Sequence, residues 1–167
     1  EVEKQQSYVG EELLEVCNLK VLDKRALLAV NGVSFTVHRG EILGIAGVEG
    51  NGQSELVEAI TGIRPVLQGE ILLHKQSIQA TSVLERRRLG MVHIPEDRLA
   101  VGLNLKGSIT ENLIAGKHKH PPYQGVFFKA NQRQIRQYTR KLIERFDVRT
   151  PDAEAAASTL SGGNMQK

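Results

Sequence analysis

Between an apolar run, Ile42 to Ala46, and an amphipathic segment, Leu56 to Ile60, lies the glycine-rich stretch Gly44-Ile45-Ala46-Gly47-Val48-Glu49-Gly50-Asn51-Gly52-Gln53-Ser54-Glu55-Leu56. Apolar run, glycine turn and helical apolar spacing read as a buried strand, a tight loop and a helix that closes near Gly62. The spacing of Gly47, Gly52 and Ser54 matches G-x-x-x-x-G-K-[ST], a loop whose backbone N–H groups cradle phosphate, except that Gln53 occupies the lysine position. Glycines at 47, 50 and 52 free the backbone to turn, and the following helix presents its positive end to an anion.

The candidate nucleotide-contacting positions are therefore Gly47, Glu49, Gly50, Asn51, Gly52, Gln53, Ser54 and Glu55. Ser54 is placed to touch a magnesium ion. Gln53 offers only neutral hydrogen bonds where a point charge normally bridges the outer phosphates. Glu49 and Glu55 add charge of the wrong sign. The stretch reads as a weakened nucleotide site, and the competing reading is a glycine-rich turn with no ligand.

A chain of 167 residues can bury one good core, as one domain or one domain with a subdomain. Its net charge of +3 is too small to argue for nucleic acid. The single cysteine, Cys17, excludes a disulfide framework within the chain and suits a reducing compartment. No apolar run approaches the roughly 20 residues of a membrane helix, and no signal-peptide pattern opens the chain, so a soluble cytoplasmic protein is expected. Residues 1–10 are polar and resemble a linker, and Leu160 to Lys167 resembles a helix start cut short, so a piece of a longer protein is expected, with a loosely held C-terminal end.

Periodicity places strands over Leu13–Val21, Val33–His38, Gly69–His74 and Met91–Ile94. Thr81 can cap a helix over Ser82–Leu89 that Gly90 closes; its basic run Glu85-Arg86-Arg87-Arg88 is open to contact with phosphate, an exposed face being the commoner case on a short capped helix. After Pro95 the texture turns polar, and Ser108 with Glu111 has capping-box spacing at the start of a helical region. A loop over Gly116–Gly125 precedes a long helix, Ala130–Phe146, with apolar positions Ile135, Tyr138, Leu142, Ile143 and Phe146. The organisation expected is a linker over 1–10, a phosphate-loop core over 11–95, a helical subdomain with a coupling region over 96–159, and a truncated helix start over 160–167.

The degenerate phosphate loop, then Ile94-Pro95-Glu96-Asp97-Arg98, then a helical region, then Leu160-Ser161-Gly162-Gly163-Asn164, resembles the nucleotide-binding domain of ABC transporters. The fold this implies is α/β: a P-loop ABC ATPase core of mixed sheet and helices with an α-helical subdomain, truncated at the C-terminus. The His93–Arg98 run and the Asn164-Met165-Gln166-Lys167 ending are similar to the second domain of double-domain ATPases that drive bacterial import of nucleosides or simple sugars, the nucleoside branch being slightly closer.

That resemblance implies the following. Leu160, Ser161, Gly162, Gly163 and Asn164 form the signature, whose serine and glycine N–H groups close on the γ-phosphate of ATP held by a partner domain. Its cofactors are ATP and Mg2+, with weak or no binding at this domain's own loop. Its partners are the first nucleotide-binding domain of the same polypeptide, transmembrane permease subunits and, indirectly, a substrate-binding protein, at the cytoplasmic face of the membrane. The coupling loop at Glu96, Asp97 and Arg98 meets the permease; an ordinary surface loop is the alternative. Val101, Leu103, Leu105 and Ile109 are open to a role as groove wall or as core.

Three departures from the family pattern matter. Glu96 replaces the usual glutamine and is open to two readings, approach to magnesium or a solvated loop residue. No aromatic residue near Lys24-Arg25-Ala26 is available to stack on adenine. The catalytic carboxylate and switch histidine of the family are expected after the signature, so no phosphoryl transfer is expected of this chain alone. A non-hydrolysing nucleotide-binding or structural module is the alternative. A soluble ATPase acting on nucleic acid would show basic patches interleaved with aromatics, which four Phe and three Tyr, scattered, do not supply. His118 and His120 sit among lysines, which oppose a cation.

Overall fold

The computed structural model describes residues 8–125 and 129–167. The chain divides after His93 into two compact units. Residues 1–7 of the N-terminal segment read as a linker lie outside the described residues.

The first unit is built on an antiparallel sheet in the order β2-β1-β3-β4, with β1 Glu12–Leu22, β2 Leu28–His38, β3 Gln68–Leu73 and β4 Gln76–Ser77. β2 begins five residues before the Val33 expected from alternation alone. Strand β1 is central: Val16 lies opposite Phe35 of β2 and Ile71 of β3. Val16 and Leu19 are both buried, although an odd spacing would put them on opposite faces of a regular strand. The register shift between them resolves the conflict, with Asn18 at φ 46 absorbing the extra residue. Gly69 of β3 lies against this bulge, where an added Cβ would stand 2.5 Å from the Asn18 carbonyl oxygen.

Helix α1, Gln53–Thr61, follows the glycine loop and ends at Gly62, as expected. Its buried Leu56, Ala59 and Ile60 have the spacing of one helical face and join Val16, Leu19, Val21, Val30 and Ile71 in the core. Helix α2, Val83–Arg88, is capped by Ser82 and not by Thr81: the Ser82 hydroxyl accepts from the Glu85 N–H, and the Glu85 carboxylate accepts from the Ser82 N–H. The Thr81 hydroxyl instead donates to the Ile78 carbonyl.

Two expectations fail here. Arg86 is not on an exposed face: it is 4% exposed and donates to the carbonyls of Ala59, Ile60 and Ile78 and to the Thr81 hydroxyl. Its charge sits at the carbonyls of the last turn of α1, so acceptors and helix dipole take the place of a counter-ion. Burial lowers its pKa from the ordinary arginine value. The runs 42–46 and 91–94, read as strands, carry no ladder among the described residues. A fully apolar strand needs neighbours on both edges and cover on both faces. Neither run has them, and Ile42 is 97% exposed and Ile94 88%.

In the second unit, a π-helical turn over Arg98–Gly102 precedes α3, Ile109–Ile114, α4, Gln132–Arg145, and α5, Gly162–Met165. The Ser108–Glu111 capping box forms at the head of α3 as the spacing predicts. The α4 helix is shorter than the expected 130–146, starting behind an Asn131 side chain that accepts from the Gln134 N–H. Ile109, Ile114, Ile135 and Ala157 are the buried apolar residues. The 150–157 segment lies along the start of α3, where the Ile109 and Thr110 N–H groups donate to the carbonyls of Ala155 and Ala153 at 3.0 Å each. No helix among the described residues is long and apolar enough to cross a membrane.

Candidate functional site

The glycine loop is seated by strand β2. An added Cβ at Gly52 would stand 2.3 Å from the Ala29 carbonyl oxygen, and Gly52 has φ +93, so the loop can lie this close only with glycine there. Ala29 and Val30 are thus part of the site, which sequence reasoning missed because nothing in their own identity marks them. Gly52 is also the N-cap of α1 and brings no side chain to it. The first-turn N–H groups are left for an outside acceptor. A cavity of about 320 Å³ adjoins the loop, lined among others by Ala29, Val33, Ile45, Gly47, Asn51 and Gln53.

Gln53 does not reach outward. Its side chain folds back over Gly47, where an added Cβ would meet Nε2 at 1.9 Å, and Nε2 donates to the Val48 carbonyl at 3.2 Å. The amide links the two arms of the loop. A neutral amide held this way supplies no charge to a phosphate. The Asn51 N–H also closes on the Val48 carbonyl at 3.2 Å, while Gly50 takes the left-handed conformation that completes the turn. Glu49 and Ser54 are exposed and Glu55 is half-buried in the first turn. A carboxylate in that turn favours the helix and opposes an anion bound at its end. Donors of loop and helix, with the exposed Ser54 hydroxyl, fit a phosphate and a magnesium ion carried with it. The described residues contain no cluster of His, Cys, Asp or Glu able to hold a metal unaided.

In the second unit Glu96 is exposed, and Asp97 is a local structural residue whose Oδ1 accepts from the N–H groups of Leu99 and Ala100 at 3.0 and 2.9 Å. The π-helical turn that follows starts from this cap. Arg98 Nε is buried without a hydrogen-bond partner. The four apolar candidates divide: Ile109 is core, Leu103 and Leu105 are half-buried, and Val101 is 73% exposed.

At the chain's end, Leu160 is half-buried and Ser161 is the N-cap of α5. Its hydroxyl does not cap the backbone but accepts from Asn164 Nδ2 at 3.1 Å. Gly162 and Gly163 have open space where a Cβ would stand, so their backbone is accessible to an incoming group. This end is better tied than expected. Asn164 Oδ1 accepts from the Arg149 N–H at 3.0 Å, and Lys167 donates to the Asp147 carbonyl and lies 3.1 Å from its carboxylate. The Lys167 ammonium holds the Asp147 carboxyl below its ordinary value. His118 and His120 are exposed.

The chain is 42% identical to the guanosine import ATP-binding protein NupO of Bacillus subtilis over 167 residues, covering 99% of this chain and 32% of that protein. It is 39% identical to the nucleoside import ATP-binding protein NupA of Lactococcus lactis, again over 99% of this chain and 32% of the relative. The chain thus spans about a third of the length of these curated relatives. Its fold matches the crystal structure of a nucleotide-free ATP-binding cassette from an ABC transporter with a TM-score of 0.68 at 23% identity, over 93% of this chain and 62% of that one. The ADP conformation of such a cassette matches with a TM-score of 0.67 at 22% identity, over 93% and 61%. The family model described as ABC transporter matches residues 30–167, from strand β2 beneath the glycine loop to the end of the chain, and the chain belongs to that family.

Proposed function

We propose that the chain is part of the ATP-binding component of an ABC importer, most closely a nucleoside importer, and that it divides the two halves of a nucleotide site unequally. The observation that carries this is the contrast between its two motifs. The loop of residues 47–54 has Gln53 in place of lysine and turned back onto the Val48 carbonyl, whereas Leu160–Asn164 keeps the full signature with open backbone at Gly162 and Gly163. In this reading Ser161, Gly162 and Gly163 complete the hydrolytic site built on the first nucleotide-binding domain of the same polypeptide. Magnesium-ATP, when bound there, supplies the phosphoryl transfer that drives transport. The loop around Gln53 forms a degenerate site that binds nucleotide weakly, with Ser54 toward magnesium. Glu96, Asp97 and Arg98 belong to the coupling region facing permease subunits, a substrate-binding protein acts only through that permease, and the protein lies peripherally on the cytoplasmic face of the membrane.

Nucleosides are favoured over sugars because the import proteins for guanosine and nucleosides are 42% and 39% identical over 99% of the chain. The ribose import ATP-binding protein RbsA of Rhodopirellula baltica is 35% identical over 83% of the chain. Calorimetric titration of magnesium-ATP into the wild-type chain and Gln53→Lys tests the loop. The wild type is expected to bind weakly, and the lysine to tighten binding about tenfold or more, the worth of one charge-assisted hydrogen bond. Tight wild-type binding that the lysine leaves unchanged would overturn the degenerate reading. In the full-length protein, Gly162→Asp is expected to abolish nucleoside-dependent uptake while Gln53→Ala spares most of it; equal losses would count against the asymmetry.

A further inference from the structure

We propose that the cavity between α4 and the 150–154 segment of the second unit binds a phosphate group, held by Arg136 and Arg140 with the Thr139 hydroxyl beside them. The cavity has a volume of about 450 Å³, within the range of small-ligand sites. Arg136, Thr139 and Arg140 line it from the helix, and Asp152 and Glu154 from the facing segment. The two acids and two bases do not pair: among the described residues no ion pair or hydrogen bond engages either guanidinium.

One oxygen of each acid is engaged elsewhere. Glu154 Oε1 accepts from the Thr110 hydroxyl at 2.8 Å, and Asp152 Oδ1 accepts from the Glu154 N–H at 3.0 Å. The donors are idle. Thr139 is 1% exposed, yet its hydroxyl has no hydrogen-bond partner among the described residues, an unfavourable state for a buried polar group. Arg136 and Arg140 stand one turn apart and also line an adjoining cavity of about 460 Å³ with Arg133 and Lys141, where Glu144 is the acid present. A cavity in which one oxygen of each acid is already engaged, while two guanidinium groups and the Thr139 hydroxyl have no partner among the described residues, fits a ligand made only of acceptors. One guanidinium fork satisfies a carboxylate, whereas two forks and a hydroxyl match the several oxygens of a tetrahedral phosphate.

The phosphate can belong to a small molecule or to a lipid headgroup, and the test separates these. Inorganic phosphate is titrated into the 15N-labelled chain at constant ionic strength set with chloride, alongside Arg136→Gln, Arg140→Gln and Thr139→Val. Shifts in residues 136–143 and 150–154 are expected, distinct from any at 47–55. Each arginine replacement is expected to weaken affinity about tenfold. Thr139→Val should weaken it a few-fold while leaving the thermal midpoint unchanged or higher, since it removes an unsatisfied hydroxyl. Flotation with phosphatidylglycerol and with phosphatidylcholine vesicles forms the second arm, and retention on the anionic vesicles that Arg136→Gln and Arg140→Gln abolish would assign the phosphate to a headgroup. The proposal is overturned if chloride reproduces the phosphate shifts, or if neither phosphate nor vesicle binding depends on the two arginines.

Discussion

Gly47 and Gly52 are both glycines of the loop motif, but the molecule needs them for different reasons. A methyl group at Gly52 would press on the Ala29 carbonyl, which belongs to a paired strand, and would force a left-handed conformation on a residue with a side chain. A methyl group at Gly47 would meet only the end of the Gln53 side chain, which can swing away. Urea denaturation is expected to show Gly52→Ala losing at least about 2 kcal/mol, from strain and overlap together. Gly47→Ala should lose at most about 1 kcal/mol, the worth of the Gln53–Val48 hydrogen bond it displaces, and nothing when Gln53 is already alanine. Equal costs at the two glycines, or a Gly47→Ala cost that persists beside Gln53→Ala, would show that Gln53 is not what Gly47 accommodates. The departure at Gln53 was legible from spacing alone. Its fold onto Val48 was not, because a glutamine's torsions are set by what surrounds it and the motif names no surroundings.

At the scale of elements, Arg86 and Asp23 do the joining. Arg86 spans from α2 to the last turn of α1 and to the Ile78 carbonyl, so Arg86→Met removes the donor to the Ile60 carbonyl and one of the donors to each of the Ala59 and Ile78 carbonyls. A loss of about 2–4 kcal/mol is expected in chemical denaturation, from several hydrogen bonds to a charged group. Arg87→Met, on an exposed neighbour, should be near neutral. Asp23 closes the β1–β2 connection, its Oδ1 accepting from the N–H groups of Leu27 and Arg25 and its Oδ2 pairing with the Arg25 side chain. The Leu27 N–H first, and Arg25 after it, hold the Asp23 carboxyl below its ordinary value. A lowered native value means the stabilisation is complete above the ordinary aspartate value, about 4, and is lost as pH falls through the lowered one. Asp23→Asn should therefore flatten the acid limb of a stability-against-pH curve, and an unchanged acid limb would assign it to other carboxylates. The Ser108–Glu111 capping box and the α1 and α3 helices were readable because a cap and its helix lie within a few residues of each other. Arg86 was not, since its Ala59 and Ile60 acceptors lie more than twenty positions earlier, and a basic run in sequence carries no sign of which member turns inward. The failed strands at 42–46 and 91–94 share that cause: apolar residues declare that they need cover, not that a neighbouring strand is at hand.

For the molecule as a whole, the two units differ in what holds them. The first has a continuous core in which Val16, Leu19, Val21, Ile71 and Ile78 are almost wholly buried between paired strands and α1. The second relies on Ile109, Ile114, Ile135 and Ala157, short capped helices and hydrogen bonds between α3 and the 150–157 segment, with one buried hydroxyl left unpaired. Hydrophobic burial is the largest favourable contribution to folding, at about 25 cal/mol per Å² of apolar surface removed from water, so the first unit should be the more stable. Native-state hydrogen exchange is expected to find the slowest amides in β1 and β3. Amides of α3 and α4 should exchange through an opening of lower free energy and lower denaturant dependence, as a separate cooperative group. A region that opens at lower cost is suited to moving during a transport cycle, which ties this measurement to the proposed role of the coupling segment. Exchange of all protected amides through one opening, with the same free energy and denaturant slope, would mean that the chain folds as a single cooperative body and that its helical unit has no freedom of its own to contribute.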